Sequence, residues 1–262
     1  MASTPSAPEV RLVPLSPTNL TKSTERFELN YRFAESQGKF NTMRSRSPAP
    51  KPSRSVPLLT VTMDYVPTLN DLCKRDDPDT TATWRGSALN RLGDIVCFTR
   101  ADISTLAVDA IVIPTTPDLT GGPQSVYERA GPQLTQECKS VEGCEIGHVK
   151  MTDAYELPCK KIVHVVGTYY ELTATGRTVR NLFSCYRRSL DLAKDSGCTS
   201  VAFITIGTGQ QENTFEAAAE IAVRSVKSWL SARARRETEA FDRVVFCAYS
   251  EQDELVFKRA LT

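Results

Sequence analysis

Beyond residue 57 the chain alternates short apolar runs with amphipathic helical patterns. Ile95–Arg100, Ala107–Pro114, Lys161–Gly167, Ser200–Gly207 and Arg243–Tyr249 are rich in Val, Ile and Phe and are apolar at nearly every position. That is the pattern of strands buried on both faces, rather than of strands with one wet face. The later runs are separated by helical repeats. Leu182, Tyr186, Leu190 and Ala193 share one helical face. Phe215, Ala218, Ala219, Ala222, Val226 and Trp229 share another, with Thr214 placed as its N-cap. Strands alternating with helices predict a mostly parallel sheet covered by helices on both faces.

The first 56 residues lack this periodicity. Ser, Thr and Pro dominate, and nine Lys and Arg against four Glu give a net charge of +5. Such a stretch cannot bury enough apolar surface to offset its ordering entropy. The expected organisation is a disordered basic tail over 1–56, an extension packed on the domain over 57–90, and a folded domain over 91–262. Ser16-Pro17 and Ser47-Pro48 are possible phosphorylation dipeptides in an otherwise bland tail.

Composition narrows the partners. The whole chain of 262 residues carries a net charge of only +1, which gives no argument for nucleic acid. No apolar run approaches the roughly 20 residues of a membrane span. The eight cysteines have no C-x-x-C spacing, and only His148 and His164 are available to complete a metal set. Reduced buried thiols in a cytosolic or nuclear monomer are expected, with no metal. Both histidines read as structural, His164 as a buried mid-strand imidazole.

In parallel sheets, ligands bind at the carboxyl ends of strands, in loops that lead into helices. Two loops qualify: Thr120-Gly121-Gly122-Pro123-Gln124-Ser125 and Gly207-Thr208-Gly209-Gln210-Gln211-Glu212-Asn213. Glycines let backbone N–H groups approach a phosphate closely. Each loop alone is an ordinary strand–helix turn; the pair suggests a diphosphate held between two cradles.

Several ordered motifs resemble the macro domain. Arg100-Ala101-Asp102-Ile103-Ser104 precedes Val108-Asp109-Ala110-Ile111-Val112, and Ala130-Gly131-Pro132-Gln133-Leu134 precedes Glu137-Cys138. The run from Gly143 to Gly167 is similar to the signature of the mono-ADP-ribosyl-protein hydrolase class, particularly its fungal members. The resemblance covers roughly residues 64–260. It implies a three-layer α/β/α fold with a mixed, mostly parallel sheet and ADP-ribose as ligand, with no cofactor and free or protein-linked ADP-ribose as partner. By position it gives Asp102 the adenine amino group, and Ile103 a backbone contact to the base. Gly121, Gly122, Ser125 and Val126 fall to one diphosphate cradle; Gly207, Thr208, Gly209, Gln210 and Gln211 fall to the other. Tyr249 lies near the adenine. Asp102 also reads as a plain loop cap, and Tyr249 as a core aromatic.

The departures fall at the distal ribose. Hydrolytic members end their first loop in N-A-A-N, where this chain has Ile113-Pro114-Thr115-Thr116. Their catalytic Asp is absent, and Pro123 and Gln124 stand there instead. Pro123 removes a backbone donor, and Gln124 cannot act as a general base near neutral pH. The aromatic of the second loop is also missing. Three readings follow: an ADP-ribose-binding module with little or no catalysis, a mono-ADP-ribosyl-protein hydrolase with a diverged constellation, and a scaffold whose ligand is lost or changed.

Overall fold

A computed structural model describes residues 60–76, 90–167, 176–207, 212–235 and 240–261. All lie in the compact unit Ser55–Thr262. The expectation of a tail over 1–56 lies outside the described residues.

In chain order the elements are β1 (Val61–Thr62), α1 (Leu69–Asp76), α2 (Asn90–Ile95), β2 (Val96–Arg100), β3 (Leu106–Ala107), β4 (Ala110–Pro114), α3 (Gln124–Ala130), α4 (Pro132–Ser140), β5 (Val149–Asp153), β6 (Lys161–Val165), α5 (Gly176–Asp195), β7 (Ser200–Phe203), α6 (Glu212–Arg235), β8 (Arg243–Ala248) and α7 (Glu251–Leu261). Six strands form one sheet in the order β2-β8-β7-β4-β6-β5, and β1 pairs with β3 separately. Every pairing in the large sheet is parallel except β5 with β6.

Apolar residues at successive strand positions divide between two cores. Ala110 and Val112 of β4 join Val244 and Phe246 of β8, Val201 and Phe203 of β7, and the helices α5, α6 and α7. The intervening Ile111, Ile113, Val245 and Ala202 join Val126, Leu134 and Cys138 of α3 and α4 on the opposite face. Period-two alternation with both faces apolar produces the three layers. Val66 and Leu69 of the 57–90 stretch are also buried, one in each core.

Two local expectations need correction, and one strand lies outside the predicted runs. The run 107–114 is not one strand, because Asp109 interrupts it. Its Oδ2 accepts from Thr199 N–H, Thr199 hydroxyl and Ser200 N–H at 2.8, 3.0 and 3.0 Å, while Lys160 sits 2.7 Å from Oδ1. This ties the start of β4 to the start of β7. Thr214 is not an N-cap, since α6 begins two residues earlier at Glu212. The antiparallel β5, which makes the sheet mixed as expected, was not among the predicted runs; its mixed Val149-Lys150-Met151-Thr152-Asp153 sequence suits an edge strand.

His164 is fully buried in β6, where Nε2 lies 2.9 Å from the Thr152 hydroxyl and Nδ1 has no partner. Burial pushes its pKa down from 6.5 to about 4, so the ring is neutral near pH 7. Cys97, Cys138, Cys144, Cys159, Cys185, Cys198 and Cys247 are free and buried.

Candidate functional site

The five parallel strands deliver their carboxyl ends to one rim of the sheet. From β2 the chain runs into Asp102, from β8 into Tyr249, from β7 into Gly207, and from β4 into the loop 115–123. The candidate residues, spread over nearly 150 positions, therefore share one edge because the topology is parallel.

Asp102 caps the 3-10 turn Ile103–Thr105, with Oδ1 accepting from the Ser104 N–H at 2.9 Å. The same oxygen accepts from the Ser125 hydroxyl at 3.0 Å. The loop-cap role is thus present. The Ser125 bond also joins the turn after β2 to the first turn of α3, between residues 23 positions apart in sequence. Oδ2 takes part in neither bond. Ile103 is buried with its side chain in the core, and its carbonyl accepts from the Leu106 N–H. Val126, expected in the phosphate cradle, is wholly buried, and its N–H donates to the Pro123 carbonyl. It presents no free group there.

The loop after β4 is closed by its own side chains. The Thr116 hydroxyl donates to Asp118 Oδ1 at 2.5 Å and accepts from the Gly121 N–H at 2.8 Å. Thr120 donates its hydroxyl to Asp118 Oδ2 at 2.7 Å. These bonds hold the Asp118 carboxyl below the usual range, those from the Thr116 and Thr120 hydroxyls contributing most. The Gly121 carbonyl accepts from the Thr115 hydroxyl at 2.5 Å and from the Tyr127 hydroxyl at 2.9 Å. The single Tyr127 proton is shared with the Leu119 carbonyl at 3.0 Å. Tyr127 is pushed up to about 12, mainly by burial.

Two glycines are required by this closure. A Cβ on Gly121 would lie 2.7 Å from Thr116 Cγ2. Gly122 has φ +143°, and a Cβ there would meet Tyr127 Cε2 at 3.0 Å and the Pro114 carbonyl at 3.1 Å. Pro123 follows as the N-cap of α3, without an N–H to offer. Gln124 donates its side-chain amide to Glu128 on the exposed side of α3.

On the β7 side, the Ile206 N–H donates to the buried Tyr186 hydroxyl at 3.0 Å, and Gly207 adopts φ 81°. Thr208, Gly209, Gln210 and Gln211 lie outside the described residues. Tyr249 is 40% exposed, and its N–H donates to Asp253 Oδ2. As site residues, sequence reasoning missed Asp118 and Tyr127, and it read Tyr186 only as part of a helical face. The Thr116-x-Asp118-x-Thr120 spacing was the one local signal, since a carboxylate flanked by hydroxyls two residues away favours such turns. Among the described residues, no three His, Cys, Asp or Glu side chains gather to hold a metal ion.

A mixed, mostly parallel α/β domain whose loops converge at one rim matches a known family. The macro domain model matches residues 121–222. A macro domain-containing protein of Chlorobaculum tepidum is 36% identical over 62% of this chain and 92% of its own length. The chain belongs to the macro domain family. It is also 35% identical to the ADP-ribose glycohydrolase MACROD2 of Xenopus laevis, over 77% of this chain and 48% of the relative. The chain thus spans about half of that relative's length or less, as with its mouse counterpart at 36%. Among solved structures, the macro domain of ganglioside induced differentiation associated protein 2 superposes with a TM-score of 0.67 and 27% identity, covering 78% of this chain and 96% of that one. The Trypanosoma brucei macrodomain in complex with ADP-ribose gives 0.60 and 25%, covering 78% of each chain.

Proposed function

We propose that this chain recognises ADP-ribose, free or attached to protein, with little or no turnover. The observation that carries the reading is the Asp102–Ser125 junction, which brings a carboxylate and the Gly121–Gly122 turn to one rim. A carboxylate accepts well from an exocyclic amino group, and Oδ2 carries neither of the bonds that fix Asp102. Gly207, with its positive φ, opens the backbone on the β7 side to close approach by a phosphate. The distal position is poorer. Thr116 has its proton committed to Asp118 and one lone pair to Gly121, so it retains one acceptor and no donor for a ribose. Asp118 is held below the carboxylate range by its hydrogen bonds, which makes it a weak proton acceptor at neutral pH.

Calorimetry of the full chain with ADP-ribose, ADP and AMP tests this. Binding in the micromolar range is expected, with a marked loss in Asp102→Ala. No heat at millimolar ADP-ribose would overturn the reading. The identity to ADP-ribose glycohydrolases favours a second reading, in which mono-ADP-ribose is released from acidic side chains. Demodification of a mono-ADP-ribosylated protein, abolished by Thr116→Ala or Asp118→Asn, would establish it.

A further inference from the structure

A groove of about 490 Å³ runs between α5 and α6, on the outer surface of the helical layer. Its walls carry Arg180, Arg187, Arg188 and Arg224, and its floor includes Phe183 and Ile221. All four arginines are exposed, and none forms an ion pair with a described residue. The polar neighbour of Arg188 is the Ser184 hydroxyl, 3.0 Å from Nε. The one carboxylate in the lining, Asp191, is already engaged. It accepts from Trp229 Nε1 at 2.7 Å and lies 3.7 Å from Arg233. The groove is therefore cationic, in a chain whose overall net charge is only +1.

Four like charges beside one another cost stability, while guanidinium forks match carboxylates in bidentate geometry. The floor is apolar, with Ile221 8% exposed and Phe183 half-buried. We infer that this groove docks an acidic peptide segment of a partner protein, with an apolar side chain on the floor and flanking carboxylates on the arginines. The volume suits a few side chains. Single-stranded nucleic acid instead uses a series of stacking aromatics, and Phe183 is the one aromatic in this lining. The inference is independent of the rim that faces ADP-ribose, because it uses different residues.

Fluorescence anisotropy of the full chain with a fluorescein-labelled peptide of alternating glutamate and leucine reads the groove directly. Binding is expected to weaken by at least about tenfold in the Arg187→Glu, Arg224→Glu double variant. The milder Arg187→Gln, Arg224→Gln variant is expected to lose less, and raising the salt is expected to weaken the wild type. Both positions are exposed, so unfolding is checked by near-ultraviolet circular dichroism and by an unchanged urea midpoint. Undiminished peptide binding in the folded variants would overturn the inference. So would absence of peptide binding to the wild type, or binding of labelled oligouridine in its place.

Discussion

The Gly121 carbonyl supplies a quantitative test of how the loop after β4 holds its shape. Two hydroxyls donate to it, Thr115 at 2.5 Å and Tyr127 at 2.9 Å. Removing either by Thr115→Val or Tyr127→Phe leaves one donor, so each single change is expected to cost about 0.5–1.5 kcal/mol. Removing both leaves the carbonyl without either side-chain donor. A fully buried carbonyl without a partner costs about 1–3 kcal/mol; Gly121 is partly buried, so the double variant is expected to exceed the sum of the singles by about 1 kcal/mol, at the low end of that range. Urea unfolding of the four proteins in a double-mutant cycle measures this coupling. The denaturant slope is expected to stay constant, because the loop is a small part of the surface exposed on unfolding. Strict additivity would refute the reasoning, since it would mean that water reaches the carbonyl as readily as the hydroxyls do. The double variant is also expected to bind ADP-ribose more weakly than either single, because Gly121 and Gly122 lose their fixed position.

Gly122→Ala places a Cβ against the Pro114 carbonyl at φ +143° and is expected to destabilise by about 1–3 kcal/mol, read as a lowered urea midpoint. The pH dependence of stability follows from His164, whose folded pKa is about 4 against an ordinary 6.5. Between those values the unfolded chain takes up a proton that the native one refuses, so stability present above pH 6.5 is lost as pH falls to about 4. The integrated loss is about 3 kcal/mol. Urea titrations of wild type and His164→Gln across this window are expected to diverge, and parallel curves would count against it. Asp109 acts in the same direction lower down. Its contribution is present above the ordinary carboxylate pKa and lost in stronger acid, because bonds from Lys160, Thr199 and Ser200 outweigh the upward push of burial.

The buried architecture was legible because its physics is local. Runs such as Ala110–Pro114 and Arg243–Ala248 are apolar at almost every position, which only a doubly covered sheet explains. The helical faces around Tyr186 and Ala222 followed from spacing alone. What escaped were features fixed by distant partners. Asp109 breaks its strand for the sake of Thr199 and Ser200, 90 and 91 positions away. Edge strand β5 is half polar and takes its register from β6. At the rim, Asp102 was legible as a chemical group, but its bond to Ser125 was not. The loop after β4 was read by its missing residues, whereas its geometry depends on those present, Thr115, Asp118 and Tyr127.

Those residues also change what the loop can offer a ligand. A loop that satisfies its own polar groups keeps its shape without a ligand, so little ordering entropy is lost on binding. The same self-satisfaction withdraws donors from any ligand at this loop, which the proposed reading makes the distal ribose: the Thr116 proton is spent on Asp118, and Pro123 has none. On the proposed ADP-ribose reading, affinity rests on the groups that any adenosine diphosphate presents, through Asp102 and the backbone at Gly122 and Gly207. The distal ribose then contributes at most one hydrogen bond, to the remaining Thr116 acceptor, worth about 0.5–1.5 kcal/mol. ADP-ribose and ADP are accordingly expected to bind within about tenfold of each other. A preference for ADP-ribose far beyond that range would show that the distal position keeps donors that the closed loop does not provide.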